Sequence, residues 1–245
     1  MSIPQSGGGQ IENMNQLSEY LESGCKPTKD WRIGTEHEKF GFDKSTLKPL
    51  PYEGSCSIKS MLEGLRDTFG WTPVYEQDNL IGLEKNGANV SLEPGGQLEL
   101  SGAPLESIHQ TCDEANLHLK EVKQIADKIG AGFLGLGAAP IWSHEDMHMM
   151  PKGRYRLMTD YMDQVGTHGK QMMYRTCTIQ VNLDFGSEAD MVKKMRVGLA
   201  STLCRARASG GSRARGRGRP RWILHRRCCR RYASQPARCR RLSQS

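Results

Sequence analysis

The chain has 245 residues, enough for a sizeable core, and a net charge of +7 that is unevenly divided. From Cys204 onward, 42 residues hold 14 Arg, no Lys, no Asp or Glu and four of the eight Cys; the 20 Lys+Arg and 27 Asp+Glu before them leave residues 1–203 at −7. No run approaches the ~20 apolar residues of a membrane span, and "MSIPQSGGGQIEN" lacks the charged and apolar regions of a secretory signal. Cys25, Cys56, Cys112 and Cys177 are too scattered for a zinc spacing or a dense disulfide framework, so a reducing, cytoplasmic home and no membrane partner are expected.

Residues 1–13 read as a flexible leader, and residues 14–203 as the folded part. Met14, Leu17 and Leu21 predict a short amphipathic helix stopped by Gly24 and Pro27. Ile58, Met61, Leu62, Leu65 and Phe69 predict a second helix ended by Gly70. The third is the most regular, with Ile108, Cys112, Ala115, Leu119, Val122, Ala126 and Ile129 recurring at steps of three and four. A fourth opens at Ser187 and is expected to bury Met191, Met195 and Leu199.

Strands are predicted between the helices. "WRIGTEHEKF" alternates, as does "NVSLEPGGQLEL" on either side of its Pro-Gly-Gly turn. In "TCTIQVNLDF", Cys177, Ile179, Val181, Leu183 and Phe185 face one way and Thr178, Gln180, Asn182 and Asp184 the other. Strands and helices in no regular alternation predict an α+β fold, an antiparallel sheet with helices packed on one side.

Period two places Glu36 and Glu38 on one strand face about 7 Å apart. Glu93 and Glu99 flank a turn that can bring further carboxylates beside them; Gln97 shares the face of Glu99, and Gln180 and Asn182 add amides. Clustered carboxylates repel one another, and a hard cation such as Mg²⁺, which prefers oxygen ligands, relieves that repulsion. The same spacing also describes a solvated strand face, and alternation alone does not choose between the two. Lys152, Arg154 and Arg156 follow Pro151, and Arg175 precedes the third strand; guanidinium forks suit carboxylates and phosphates, and equally a wet loop.

Two motifs are set aside. "HEDMH" fits H-E-x-x-H, but zinc-protease chemistry needs His144 and His148 on one helix face, and Pro140 and Pro151 bracket too short a stretch. "GAGFLG" fits a dinucleotide fingerprint but closes a helix instead of opening one, as a C-cap would.

The segments "RIGTEHEKFGF", "SLEPGGQLELSGAP", "MPKGRYRLMTDYM" and "MYRTCTIQVNLDF" resemble the glutamate–cysteine ligases of plants and many proteobacteria, over about residues 12–200. The resemblance implies a glutamine-synthetase-like ligase sheet, here incomplete. It implies ATP- and Mg²⁺-dependent joining of glutamate to cysteine through a γ-glutamyl phosphate, the first step of glutathione synthesis. By resemblance Glu36, Glu38, Glu93 and Glu99 hold magnesium, with Glu36, Glu38 and Arg154 in the catalytic group. Arg154, Arg175, Gln180 and Asn182 meet the substrates. Cys112 matches a cysteine that plant members use in a redox-sensitive disulfide, whose partner would lie beyond this sequence.

The resemblance stops near Ala200, and family members run on much further. The Arg-rich residues 204–245 are expected to be disordered, and to be the out-of-frame product of a frameshift that leaves the chain truncated and catalytically impaired. The rival reading is a non-catalytic protein whose tail binds nucleic-acid phosphates non-specifically.

Overall fold

The computed structural model describes residues 9–209. Its first unit, up to Ser187, holds a sheet and five of the helices, built in the order α1 (Met14–Glu22), β1 (Ile33–Asp43), α2 (Ile58–Phe69), β2 (Thr72–Glu76), β3 (Asn79–Lys85), β4 (Ala88–Leu92), β5 (Leu98–Ser101), α3 (Ile108–Ile129), β6 (Ala131–Leu134), α4 (Gly153–Val165), α5 (Gly169–Arg175) and β7 (Ile179–Leu183). The second unit begins with α6 (Glu188–Ser209).

Local chemistry sets the element ends. Ser57 caps α2 by accepting from the Ser60 amide, and Ser107 and Gln110 form a capping box on α3. Gly130, at φ 76°, is the left-handed C-cap of α3, so "GAGFLG" closes that helix as expected. Residues 141–150 hold no helix, so His144 and His148 share no helix face. The β3–β4 turn is Asn86-Gly87, both at positive φ, the pairing that suits a two-residue hairpin.

All seven strands pair antiparallel, in the order β2-β3-β4-β5-β1-β6, with β7 also on β1. This is the expected α+β architecture. Leu83, Val90, Leu92, Leu98 and Leu100 form a buried apolar side with Met61, Leu62 and Leu65 of α2 and Val122 and Ile125 of α3. At ~25 cal/mol per Å² of apolar area removed from water, these side chains dominate the stability of the unit.

Several predicted stripes are not the buried ones. On α3 the buried residues are Thr111, His118, Glu121, Val122, Ile125 and Ala126, while Ile108 and Leu119 lie out in solvent. Of the polar groups the helix turns inward, Glu121 has a buried partner: the Trp71 indole N–H donates to its Oε2 at 3.0 Å. None of α1 is buried, and Ile179, Val181 and Leu183 of β7 are exposed. In α6, taken by itself, Met195 and Leu199 are exposed instead of buried, and Lys194 pairs with Asp190 one turn away at 2.7 Å. This helix runs through Ser209, past the expected boundary at 203; most of the Arg-rich tail, with its frameshift and nucleic-acid readings, lies outside the described residues, as does most of the leader. Among the described residues no helix is long and apolar enough to cross a membrane.

Candidate active site

The site forms on the sheet face opposite α2 and α3, because β1 is paired on both edges. Glu38 stands directly opposite Glu99 of β5, and Glu36 stands opposite both Ser101 of β5 and Gln180 of β7. Opposed residues of an antiparallel pair share a face with Cβ atoms about 5 Å apart. Asn182, opposite Gly34, continues the row. The strand registers thus bring Glu36, Glu38, Glu99, Gln180 and Asn182 onto one surface. The β4–β5 turn adds Glu93, whose amide donates to the Gln97 carbonyl at 2.9 Å and whose carbonyl accepts from Gly96 at 2.9 Å.

Hydrogen bonds aim these groups. Thr178 donates to Glu38 twice, from its amide at 3.0 Å and its hydroxyl at 2.8 Å. The Asn182 amide donates to Glu36 at 3.0 Å and accepts from Gln180 at 3.0 Å. Ser91 and Ser101 donate to the two oxygens of Glu99 at 3.3 and 3.0 Å. Gln97 is a clamp: it donates to the carbonyls of Met173 and Thr176 and accepts from the Gly95 amide, tying the turn to the segment that leads into β7.

The charges are crowded. Burial pushes Glu38 above the usual carboxylate range; the two bonds from Thr178 oppose this, and Glu99 and Glu36 push it further. Burial and then the neighbouring Glu99, to which it is hydrogen-bonded, push Glu93 up to about 8. Lys152, buried beside them, is drawn down to about 8 by burial, against the pull of Glu93. Behind the sheet, burial also lowers Lys39 to about 8 and lowers His37, while the thiol of Cys177 is pushed up by burial and is no nucleophile.

The two predicted arginines have different surroundings. Arg154, in the first turn of α4, lies 5.1 Å from the ring of buried Tyr155, next to Lys152. Arg175 ends α5 and donates to Gln171 Oε1 of its own helix. Ser91, Ser101 and Thr178 act on the site through the glutamates. Ser101 and Ser91 were legible as the i+2 and cross-strand neighbours of Glu99.

The donor set suits a hard cation. It consists of carboxylate and amide oxygens with no thiolate or imidazole on that face, and the raised Glu93 marks a repulsion that a cation would relieve. Among the described residues no three acidic, histidine or cysteine side chains converge as a closed cage. Mg²⁺ does not require one: it is commonly held by one or two carboxylates, with water and substrate phosphates completing the shell.

The chain is 57% identical over 184 residues to a chloroplastic glutamate–cysteine ligase of Medicago truncatula, which is 75% of this chain and 36% of the relative. Glutamate–cysteine ligase B, chloroplastic, of Oryza sativa subsp. japonica is 55% identical over the same shares, and the chloroplastic glutamate–cysteine ligase of Arabidopsis thaliana is 56% identical over 75% of this chain and 35% of its own length. The chain spans about a third of the length of the curated relatives it matches. Their names correct the expectation of a cytoplasmic protein: these relatives are chloroplastic. Scattered cysteines do not tell one reducing compartment from another. A match to Glutamate-cysteine ligase family 2 covers residues 32–202, from the start of β1 through most of α6, and the chain belongs to that family.

Proposed function

We propose that this chain supplies the cation-binding floor of an ATP-dependent glutamate–cysteine ligase, which joins the γ-carboxylate of glutamate to the amine of cysteine. One observation carries the reading: the registers of β5 and β7 on β1 gather Glu36, Glu38, Glu99 and two amides on a single face, with Glu93 at its rim.

The chemistry has two displacements. A γ-carboxylate oxygen of glutamate attacks the terminal phosphorus of ATP and ADP leaves; the cysteine nitrogen then attacks the acyl carbon, loses a proton, and phosphate leaves. Mg²⁺, when bound, supplies positive charge to the phosphate oxygens during both. Glu36, Glu38, Glu93 and Glu99 would share the holding of magnesium with the substrate phosphates, and the bonds from Thr178, Asn182, Ser91 and Ser101 fix the carboxylates of Glu38, Glu36 and Glu99. Gln180 and Asn182 present amides to the substrate side, and Arg154 and Arg175 take anionic substrate groups.

The test is Mn²⁺ binding by the 245-residue chain, read as loss of the free-ion EPR signal, alongside γ-glutamylcysteine formation with ATP and Mg²⁺. Wild type is expected to bind Mn²⁺, and Glu38→Ala and Glu99→Ala to weaken binding by at least tenfold. Binding that is absent in wild type, or unchanged in both variants, would sink the reading.

A further inference from the structure

The Glu93–Glu99 pair has a cation of the protein's own beside it. Lys152, the residue that precedes α4, is 3% exposed, and its Nζ donates to the Leu92 carbonyl at 2.8 Å. The Tyr155 hydroxyl donates to the same oxygen, and the Tyr155 ring lies 5.3 Å from Nζ. Two residues earlier, the Met150 amide donates to the Pro94 carbonyl at 3.0 Å. The segment from Met150 to Tyr155 is therefore fastened to the chain on both sides of Glu93.

An ammonium taken this far out of water costs several kcal/mol unless charge compensates it. A carbonyl and an aromatic ring are weak compensation. The opposite charges within its reach are Glu93, Glu99 and Glu76, and the last of these already accepts from the Gly153 amide at 2.9 Å. Arg154, next in sequence, is a like charge, yet Lys152 stays inside. Had the lysine only to anchor a loop, a neutral donor would serve the Leu92 oxygen as well and avoid the burial cost.

We propose that Lys152 is a positioning residue for the metal site: an internal counter-ion that holds Glu93 and Glu99 side by side while no divalent cation is bound. The inference rests on the reading of this face as a cation floor and extends it. The ammonium stands where part of the metal's charge is later supplied, so Lys152 and the cation act on the same carboxylates and their effects are not additive.

Lys152→Gln keeps a donor for the Leu92 oxygen and removes the charge; Lys152→Arg keeps the charge. Each full-length protein is melted with EDTA and with saturating Mg²⁺, and titrated with Mn²⁺ by EPR. Without divalent ions Lys152→Gln is expected to melt below wild type, and Mg²⁺ to raise its melting temperature by more than it raises that of wild type. With one positive charge gone from the site, Mn²⁺ should bind it roughly tenfold more tightly. Lys152→Arg should behave as wild type in both respects. Equal Mg²⁺ gains and equal Mn²⁺ affinities in wild type and Lys152→Gln would overturn the inference and leave the cation floor standing. No response of wild type to either ion would overturn the floor itself, and the inference with it.

Discussion

Glu93→Gln is the most direct probe of the crowding at this site. Burial and Glu99 hold Glu93 up to about 8, against 4.5 in the unfolded chain. Between those values the unfolded chain has released a proton that the folded chain keeps, so stability falls as pH rises. The fall begins near pH 4.5, is limited to ~1.4 kcal/mol per pH unit, and ends near pH 8. From pH 5 to pH 7 it amounts to roughly 3 kcal/mol at most. Glutamine cannot ionise and lacks this contribution. Lys152 and Lys39 act with the opposite sign, but only above pH 8, where the unfolded chain still holds the proton that the folded chain has lost. His37 and His118, lowered chiefly by burial, raise stability with pH below the ordinary histidine range, and they do so in both proteins. Glu93 interacts directly with Glu99 and Lys152, so the difference between variant and wild type reports the proton that Glu93 keeps together with their response to its loss. Urea unfolding in EDTA at pH 5, 6 and 7 should show Glu93→Gln gaining on wild type by roughly 1 kcal/mol per pH unit. A difference that stays constant across the range would refute the argument.

Two further changes test the frame behind the site. Trp71→Phe removes the indole donor from buried Glu121, whose other partner, Lys85, is 4.0 Å away, and should cost about 1–3 kcal/mol in urea unfolding. Gly64→Ala sets two effects against each other. Alanine favours a helix interior by ~1 kcal/mol, but its Cβ would overlap Ile125 Cγ2 in the α2–α3 contact, at a cost of about 1–3 kcal/mol. The overlap should win and lower the urea midpoint; a raised midpoint would show that Ile125 moves aside freely.

How much of this was legible in the sequence differs from element to element. Gly70 and Gly130 ended α2 and α3 as read, since a C-cap acts locally, while the N-caps Ser57 and Ser107 went unread. The buried side of α3 was misread for a reason outside the helix. The apolar stripe through Leu119 is a real periodicity, yet His118 is the buried neighbour and Leu119 is exposed, because the sheet covers the side of the helix that carries Val122, Ile125 and Ala126. The β2–β3 hairpin was missed although Asn86-Gly87 announces the turn that follows it. In the site, alternation paired Glu36 with Glu38, but only the registers could show that Glu99 faces Glu38 and that Gln180 faces Glu36. Lys152 looked like one of three loop cations; burial, which spacing does not encode, sets it apart from Arg154 and Arg156.

The strand that carries Glu36 and Glu38 is the one hydrophobicity had least power to place. In β1, Glu36 and Glu38 face the site while Thr35, His37 and Lys39 face α3, so over these five residues neither side offers an apolar stripe. Transfer free energy cannot hold such a segment in the middle of a sheet. Backbone pairing can, since the ladder is indifferent to side chains: Glu36 and His37 are bonded into β5 on one edge and β7 on the other, and Phe40–Asp43 into β6. The polar groups turned toward α3 exact a cost. Among the described residues Thr35 Oγ1, Glu114 Oε2 and both ring nitrogens of His118 are buried without a protein partner, and each costs about 1–3 kcal/mol unless water reaches it. The apolar layer of β3, β4 and β5 on α2 and α3 offsets that cost. Stability is thus concentrated in the neighbouring strands, and β1, held by its ladders, is free to keep Glu36 and Glu38 together on the other face.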